Sequence, residues 1–175
     1  MPGLPGRRVY HSNVSPDPHP RVPLYLLRDP LCLLALGLGT GLSPRAPGTA
    51  GTLLAVPLYW LLRDLPLITY AAILVAGFVT GVGLCGYAAR RLGVADHPAI
   101  VWDEIIGFGI TMIGAPVGWP WVIAGFVLFR CFDIIKPWPI GWLDRRVKGG
   151  LGVMLDDLMA GLFACACIKA SAYLL

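Results

Sequence analysis

Two stretches of the chain, Leu65 to Ala89 and Ile105 to Phe129, contain no charged side chain. Each is about as long as the roughly 20 residues that cross a bilayer as a helix. Composition agrees: 57% of residues are hydrophobic and 14% charged, with a mean hydropathy of +0.71, whereas about a quarter of an ordinary soluble domain is charged. So much apolar side chain excludes a disordered protein, and five cysteines, an odd number, exclude a disulfide-stapled secreted module. A small integral membrane protein of one domain remains.

Two weaker apolar stretches accompany these. Ala46 to Leu62 is uncharged but holds Pro47 and Pro57, and Leu158 to Leu175 is apolar except for Lys169. The first 23 residues are Pro-rich, carry Arg7, Arg8 and Arg21, and lack the apolar run of a cleavable signal. We therefore expect a flexible tail over 1–28 and a membrane domain over 29–175.

Helix breakers divide the run from Ile105 to Phe129. Gly114, Pro116, Gly118 and Pro120 crowd its middle and predict a helical hairpin. A single straight helix would put Asp103 and Asp133 about 45 Å apart on opposite membrane faces, whereas a hairpin returns both to one side. Arg63, Asp64 and Pro66 similarly form the turn of an earlier hairpin. The expected fold is thus all-α: a small polytopic membrane bundle with re-entrant or short Gly/Pro-broken helices and an active site at the cytoplasmic interface.

In this topology Arg28, Arg45, Arg90, Arg91, Arg130, Lys136, Arg145, Arg146 and Lys148 share one face with the basic tail. Only Arg63 and Lys169 fall elsewhere. The positive-inside rule places the basic face in the cytoplasm. The net charge of +4 then speaks for topology and anionic lipid head groups, not for nucleic acid.

The acids are scarcer and more concentrated. Asp103 and Glu104 are expected to open one helix, Asp133 to end the next, and Asp156 and Asp157 to open the last span, gathering five carboxylates on one face. Carboxylates beside apolar helices are costly unless paired or bound to a cation, and oxygen-only ligands suit a hard ion such as Mg²⁺. Acids in a first helical turn also favour the macrodipole with no metal present. Asp133 differs, because a negative charge at a helix C-terminus is unfavourable. Arg130 and Lys136 lie one turn to either side of it, either as an intrahelical ion-pair ladder or as holders of phosphate oxygens. Asp144 is open between a ligand, a partner for Arg145 or Arg146, and a solvated loop residue.

The block from Gly37 to Thr52 has too much Gly and Pro to read as helix. Thr49 can cap the helix that follows, where free amides bind anions. A purely structural turn fits this block equally well. Gly81-x-Gly83-x-x-Gly86 matches a dinucleotide fingerprint but lies inside an apolar span, where small residues serve helix packing. Cys85-x5-Arg91 has the spacing of a cysteine phosphatase without its preceding His or phosphate loop. The histidines are His11, His19 and His97, two of them in the tail, against a histidine-nucleophile lipid phosphatase. Cys32, Cys85, Cys131, Cys165 and Cys167 have no zinc spacing and read as buried small residues.

Four blocks occur in order: Gly39-Thr-Gly-Leu-Ser-Pro with Pro47-Gly-Thr-Ala-Gly-Thr-Leu, Val101-Trp-Asp-Glu-Ile-Ile-Gly, Phe129-Arg-Cys-Phe-Asp-Ile-Ile-Lys-Pro-Trp-Pro-Ile, and Gly149-Gly-Leu-Gly-Val-Met-Leu-Asp-Asp-Leu-Met-Ala-Gly. Together they resemble the phosphatidylglycerophosphatase A family over roughly residues 30 to 165. The resemblance implies a Mg²⁺-dependent, multi-pass enzyme of the bacterial inner membrane. It would remove the terminal phosphate of phosphatidylglycerophosphate at the cytoplasmic face, giving phosphatidylglycerol and inorganic phosphate. It implies that Asp103, Glu104, Asp133, Asp156 and Asp157 are catalytic and ligate one or two Mg²⁺ ions, with Arg130, Lys136 and Thr49 binding substrate. Direct attack by water is expected, since the Asp-x-Asp of aspartyl-phosphate phosphatases is absent.

Two rivals are distinguishable. A CDP-alcohol phosphotransferase would need an Asp-Gly...Ala-Arg...Gly...Asp...Asp spacing that does not occur here. A small cation transporter would want its carboxylates near mid-membrane, whereas these are expected at span ends.

Overall fold

The computed structural model describes residues 22–174; the Pro-rich stretch 1–21, with Arg7, Arg8, Arg21, His11 and His19, lies outside the described residues. Seven α-helices follow one another with no strand among the described residues: α1 (Pro30–Ala35), α2 (Pro47–Leu62), α3 (Leu67–Leu92), α4 (Trp102–Thr111), α5 (Trp119–Ile135), α6 (Ile140–Arg146) and α7 (Gly149–Leu174). Short 3-10 turns at Leu24–Arg28 and Gly37–Leu42 flank α1, and Leu26 in the first of them is completely buried.

At 1.5 Å per residue the 26 residues of α3 and of α7 each span about 39 Å, enough to cross the roughly 30 Å hydrocarbon core. Both are apolar enough to do so. The outer face of α3 carries Ile68, Val75 and Val79, all more than 60% exposed. That is the wrong surface for water and the right one for lipid. Arg90 and Arg91 occupy the last turn of α3, and Gly93, with φ 72°, ends it in the left-handed conformation glycine adopts without strain.

The hairpins occur where the sequence punctuates them. Arg63 to Pro66 turns α2 into α3, and Met112 to Gly118 turns α4 into α5, with Gly114 at φ 63° and Gly118 at φ 134°. Only ten residues long, α4 is the central helix: every residue from Ile105 to Met112 is buried. It packs on α2, α3, α5 and α7. Small residues make this close packing possible. A Cβ on Gly161 of α7 would collide with the Gly107 carbonyl of α4, and one on Gly150 would collide with the Val82 carbonyl of α3. The Tyr70 hydroxyl donates to the Gly109 carbonyl at 2.7 Å, and Trp102 Nε1 donates to the Gly77 carbonyl at 3.0 Å, fixing α4 against α3.

Four expectations need correction. Helix α2 already begins at Pro47, because proline is well suited to a first helical turn, so Thr49 lies inside the helix and does not cap it. Helix α7 begins at Gly149, so Asp156 and Asp157 sit two turns into it and do not open it. Gly150 there serves contact with α3 and does not break the helix. Lys136 takes a left-handed C-cap conformation (φ 46°), which turns its side chain away from any ladder with Asp133. Of the cysteines, Cys32, Cys85 and Cys165 are buried, but Cys131 is exposed and Cys167 partly so.

Candidate active site

A cavity of about 240 Å³ opens at one end of the bundle, where the start of α2, the start of α4, the end of α5 and the second and third turns of α7 converge. Asp103, Glu104, Asp133, Asp156 and Asp157 all line it, together with Arg130 and Lys136. The α4–α5 hairpin returns Asp133 to Asp103 and Glu104, and the long α7 brings its two acids alongside. Arg90 and Arg91 lie toward this end too, since α3 passes Gly86 against Gly150 at the start of α7. Thr49 is not among the residues lining the cavity; its neighbours Pro47 and Gly48 are.

The five acids fall into two groups. Asp103, Glu104 and Asp157 each present a carboxylate oxygen within 4.8 Å of the others'. Asp103 Oδ1, Glu104 Oε2 and Asp157 Oδ2 are buried with no hydrogen-bond partner among the described residues. Three such groups, with Asp157 only 3% exposed, repel one another and lack solvation. A hard divalent cation satisfies that donor set.

The other two acids are held by bases. Arg130 lies 2.6 Å from Asp133 Oδ2, three residues on along α5, and 3.8 Å from Glu104 Oε1. Lys136 Nζ donates to Asp156 Oδ2 at 2.6 Å and to Asp144 Oδ1 at 3.0 Å. Burial alone would lower the Lys136 pKa; the hydrogen bond and charge of Asp156, joined by Asp144, outweigh it and hold the ammonium above the usual lysine range. Asp144, left open by the sequence, is thus a partner of Lys136. Its backbone carbonyl also accepts from Lys148 at 2.8 Å.

Three residues escaped the sequence reading. Gly48 closes one wall: a Cβ there would collide with Glu104 Oε1 and press on both terminal nitrogens of Arg130. His97 and Asp96, from the loop between α3 and α4, also line the cavity. His97 is 3% exposed, and its Nδ1 accepts the Ala99 amide at 3.1 Å. The one sequence signal for them was their place just ahead of Asp103.

This is the arrangement of a small helical membrane protein with an acid-lined, two-cation cavity at one end of its bundle, suited to handling a charged group at a membrane surface. The family model described as phosphatidylglycerophosphatase A matches residues 33–172. The chain is 49% identical over 139 residues to the "Phosphatidylglycerophosphatase A" of Escherichia coli (strain K12), covering 79% of this chain and 81% of the relative. It is 41% identical over 152 residues to the protein of the same name from Haemophilus influenzae, covering 84% and 91%. A "Putative phosphatidylinositol-3-phosphatase" of Bacteroides thetaiotaomicron is 40% identical over 153 residues, covering 82% and 94%. No solved structure matches the chain. The chain belongs to the phosphatidylglycerophosphatase A family.

Proposed function

We propose that this chain is a lipid phosphatase that hydrolyses phosphatidylglycerophosphate to phosphatidylglycerol and inorganic phosphate, with Mg²⁺ as its cofactor. The observation that carries the reading is the convergence of Asp103, Glu104 and Asp157 beside Arg130 and Lys136 in one cavity at the end of a membrane bundle. The names of the relatives supply the substrate.

Asp103, Glu104 and Asp157 would hold the ion, with Asp133 and Asp156 completing or orienting its surroundings. Bound there, Mg²⁺ supplies charge neutralisation for the phosphomonoester and acidifies a water. Arg130, braced by Asp133, presents its fork to phosphate oxygens and stabilises the charge that builds on them in the transition state. Its Nε is buried with no hydrogen-bond partner among the described residues, so a substrate oxygen would relieve a polar group that folding leaves unsatisfied. Lys136, clamped by Asp144 and Asp156, adds a second positive charge. Thr49, which does not line the cavity, would act only through the backbone at the start of α2, where Gly48 forms the wall.

The reaction breaks the bond between phosphorus and the glycerol oxygen; water supplies the oxygen of the released phosphate, and its proton goes to the glycerol oxygen. The diacylglycerol part stays among the acyl chains while the head group enters from the membrane surface. In a bacterial inner membrane, the concentration of Arg and Lys at the cavity end supports a site facing the cytoplasm.

Phosphate release by detergent-purified protein tests this reading, with phosphatidylglycerophosphate and phosphatidylinositol 3-phosphate offered in parallel. Preference for the first is expected. Preference for the second would move the assignment toward the Bacteroides relative, and release from neither would overturn it.

A further inference from the structure

A second cavity, of about 200 Å³, lies at the other end of the bundle, between the turn joining α2 to α3 and the turn joining α4 to α5. Along α2, Arg63 stands about 22 Å beyond Gly48, so this cavity lies at the end of the bundle away from the acidic one, toward the opposite leaflet. Its lining is partly apolar, with Leu65, Leu67 and Met112, but it also contains Arg63 and Tyr59.

Both polar groups are held ready for an anion. The Arg63 side chain is only 14% exposed, its Nε is 3.1 Å from Asp64 Oδ1, and its guanidinium lies 4.3 Å from the Trp60 ring centroid. Those contacts fix the plane of the fork while leaving its two terminal nitrogens without a partner among the described residues. Asp64 is 84% exposed and turned to solvent, so it does not fill the cavity. Tyr59 is 6% exposed, and its ring packs edge-on against Phe108. Its hydroxyl has no hydrogen-bond partner among the described residues, yet it is not sealed in the core. A phenol whose ring is packed and whose hydroxyl reaches the cavity can donate to a ligand oxygen there. A further base stands beside the rim: Lys169 Nζ lies 3.6 Å from where a Cβ on Gly114 would sit.

We propose that this cavity binds the phosphodiester head group of an anionic phospholipid from the leaflet opposite the acid-lined cavity. Arg63 grips the phosphate oxygens with its two terminal nitrogens, and Tyr59 donates its hydroxyl to one of them. Lys169 contributes charge, while Leu65, Leu67 and Met112 meet the glycerol and upper acyl segments. A fork held by an aromatic face suits a phosphate better than a lone surface base does. The far end otherwise carries little charge, with Arg63 and Lys169 as its bases.

The test is native mass spectrometry of the full chain in neutral detergent, offered phosphatidylglycerol, phosphatidylcholine or inorganic phosphate, for wild type, Arg63→Gln and Tyr59→Phe. Since the readout is binding, failure of this inference is distinguishable from failure of the catalytic reading. Wild type should retain phosphatidylglycerol in preference to phosphatidylcholine, and Arg63→Gln should weaken that retention about tenfold. Tyr59→Phe removes one oxygen without changing the packing of the ring, and should weaken retention by a smaller factor while preserving the melting temperature. Equal retention by wild type and both variants, equal retention of the two lipids, or capture of inorganic phosphate in place of the lipid would each overturn the proposal.

Discussion

Arg130 and Asp133, one turn apart on α5, are joined at 2.6 Å on the wall of the acid-lined cavity, and the same guanidinium lies 3.8 Å from Glu104 on α4. An acid at a helix C-terminus opposes the macrodipole. Here its role is to fix the direction of a base. The pair therefore ties the second arm of the hairpin to the first, at the place where phosphate oxygens would be received.

Arg130→Lys keeps the charge but loses the planar fork. Phosphate release should fall by about a hundredfold or more, the usual effect of losing an oriented transition-state donor. Steady-state kinetics on protein that retains its melting temperature checks this. Activity within a factor of a few of wild type would remove Arg130 from phosphate binding.

Gly48→Ala places a methyl group where Glu104 Oε1 and the Arg130 guanidinium already lie. The helix should form as before, since alanine is the better helix former. The expected outcome is a folded protein with turnover lowered at least about tenfold, because a small misplacement of site groups costs that much.

Gly161→Ala and Gly150→Ala act on packing, at contacts between α7 and the backbones of α4 and α3. Each should destabilise by about 1–3 kcal/mol, the usual cost of overpacking, seen as a lower melting temperature in detergent. Gly83→Ala, inside α3 and meeting nothing within 4 Å, is the control and should leave the melting temperature unchanged or slightly raised.

Asp29 caps α1 and accepts from the Tyr87 hydroxyl at 2.7 Å. That hydrogen bond, with the Leu31 and Cys32 amides and Arg91 adding to it and burial opposing it, holds the carboxyl below its ordinary 3.8. A depressed acid contributes stability that is fully present above the ordinary value and lost as pH falls through the depressed one. Limited proteolysis around α1 should therefore increase as pH drops below about 3.8 in wild type. In Asp29→Asn this region should be more susceptible at neutral pH and lack that acid dependence.

How much of this was legible in the sequence depended on whether the signal was local. The turns at Arg63 to Pro66 and Met112 to Gly118 were readable because charge and helix breakers interrupt apolar runs there. From the hairpin alone followed the gathering of Asp103, Glu104 and Asp133. The sequence places the start of the last span at Asp156 and Asp157, whereas α7 already begins at Gly149, where Gly150 is small so that α3 can approach. Likewise Lys136 is three residues from Asp133 in sequence, yet its left-handed backbone sends it to Asp144 and Asp156 on other helices. Gly48 reaches the site only through tertiary packing, which no spacing encodes.

If Asp103, Glu104 and Asp157 hold a divalent cation, phosphate release depends on it. The most direct measurement is phosphate release from phosphatidylglycerophosphate by purified protein with Mg²⁺, with excess EDTA, and with Mg²⁺ restored, in wild type and Asp157→Asn. Asp157→Asn keeps the size of the side chain and removes one charge from the cluster. Wild type should release phosphate in a reaction that EDTA abolishes and Mg²⁺ restores, and the variant should release little or none at any Mg²⁺ concentration that saturates wild type. Undiminished release in EDTA, or from well-folded Asp157→Asn, would contradict that role for the three acids.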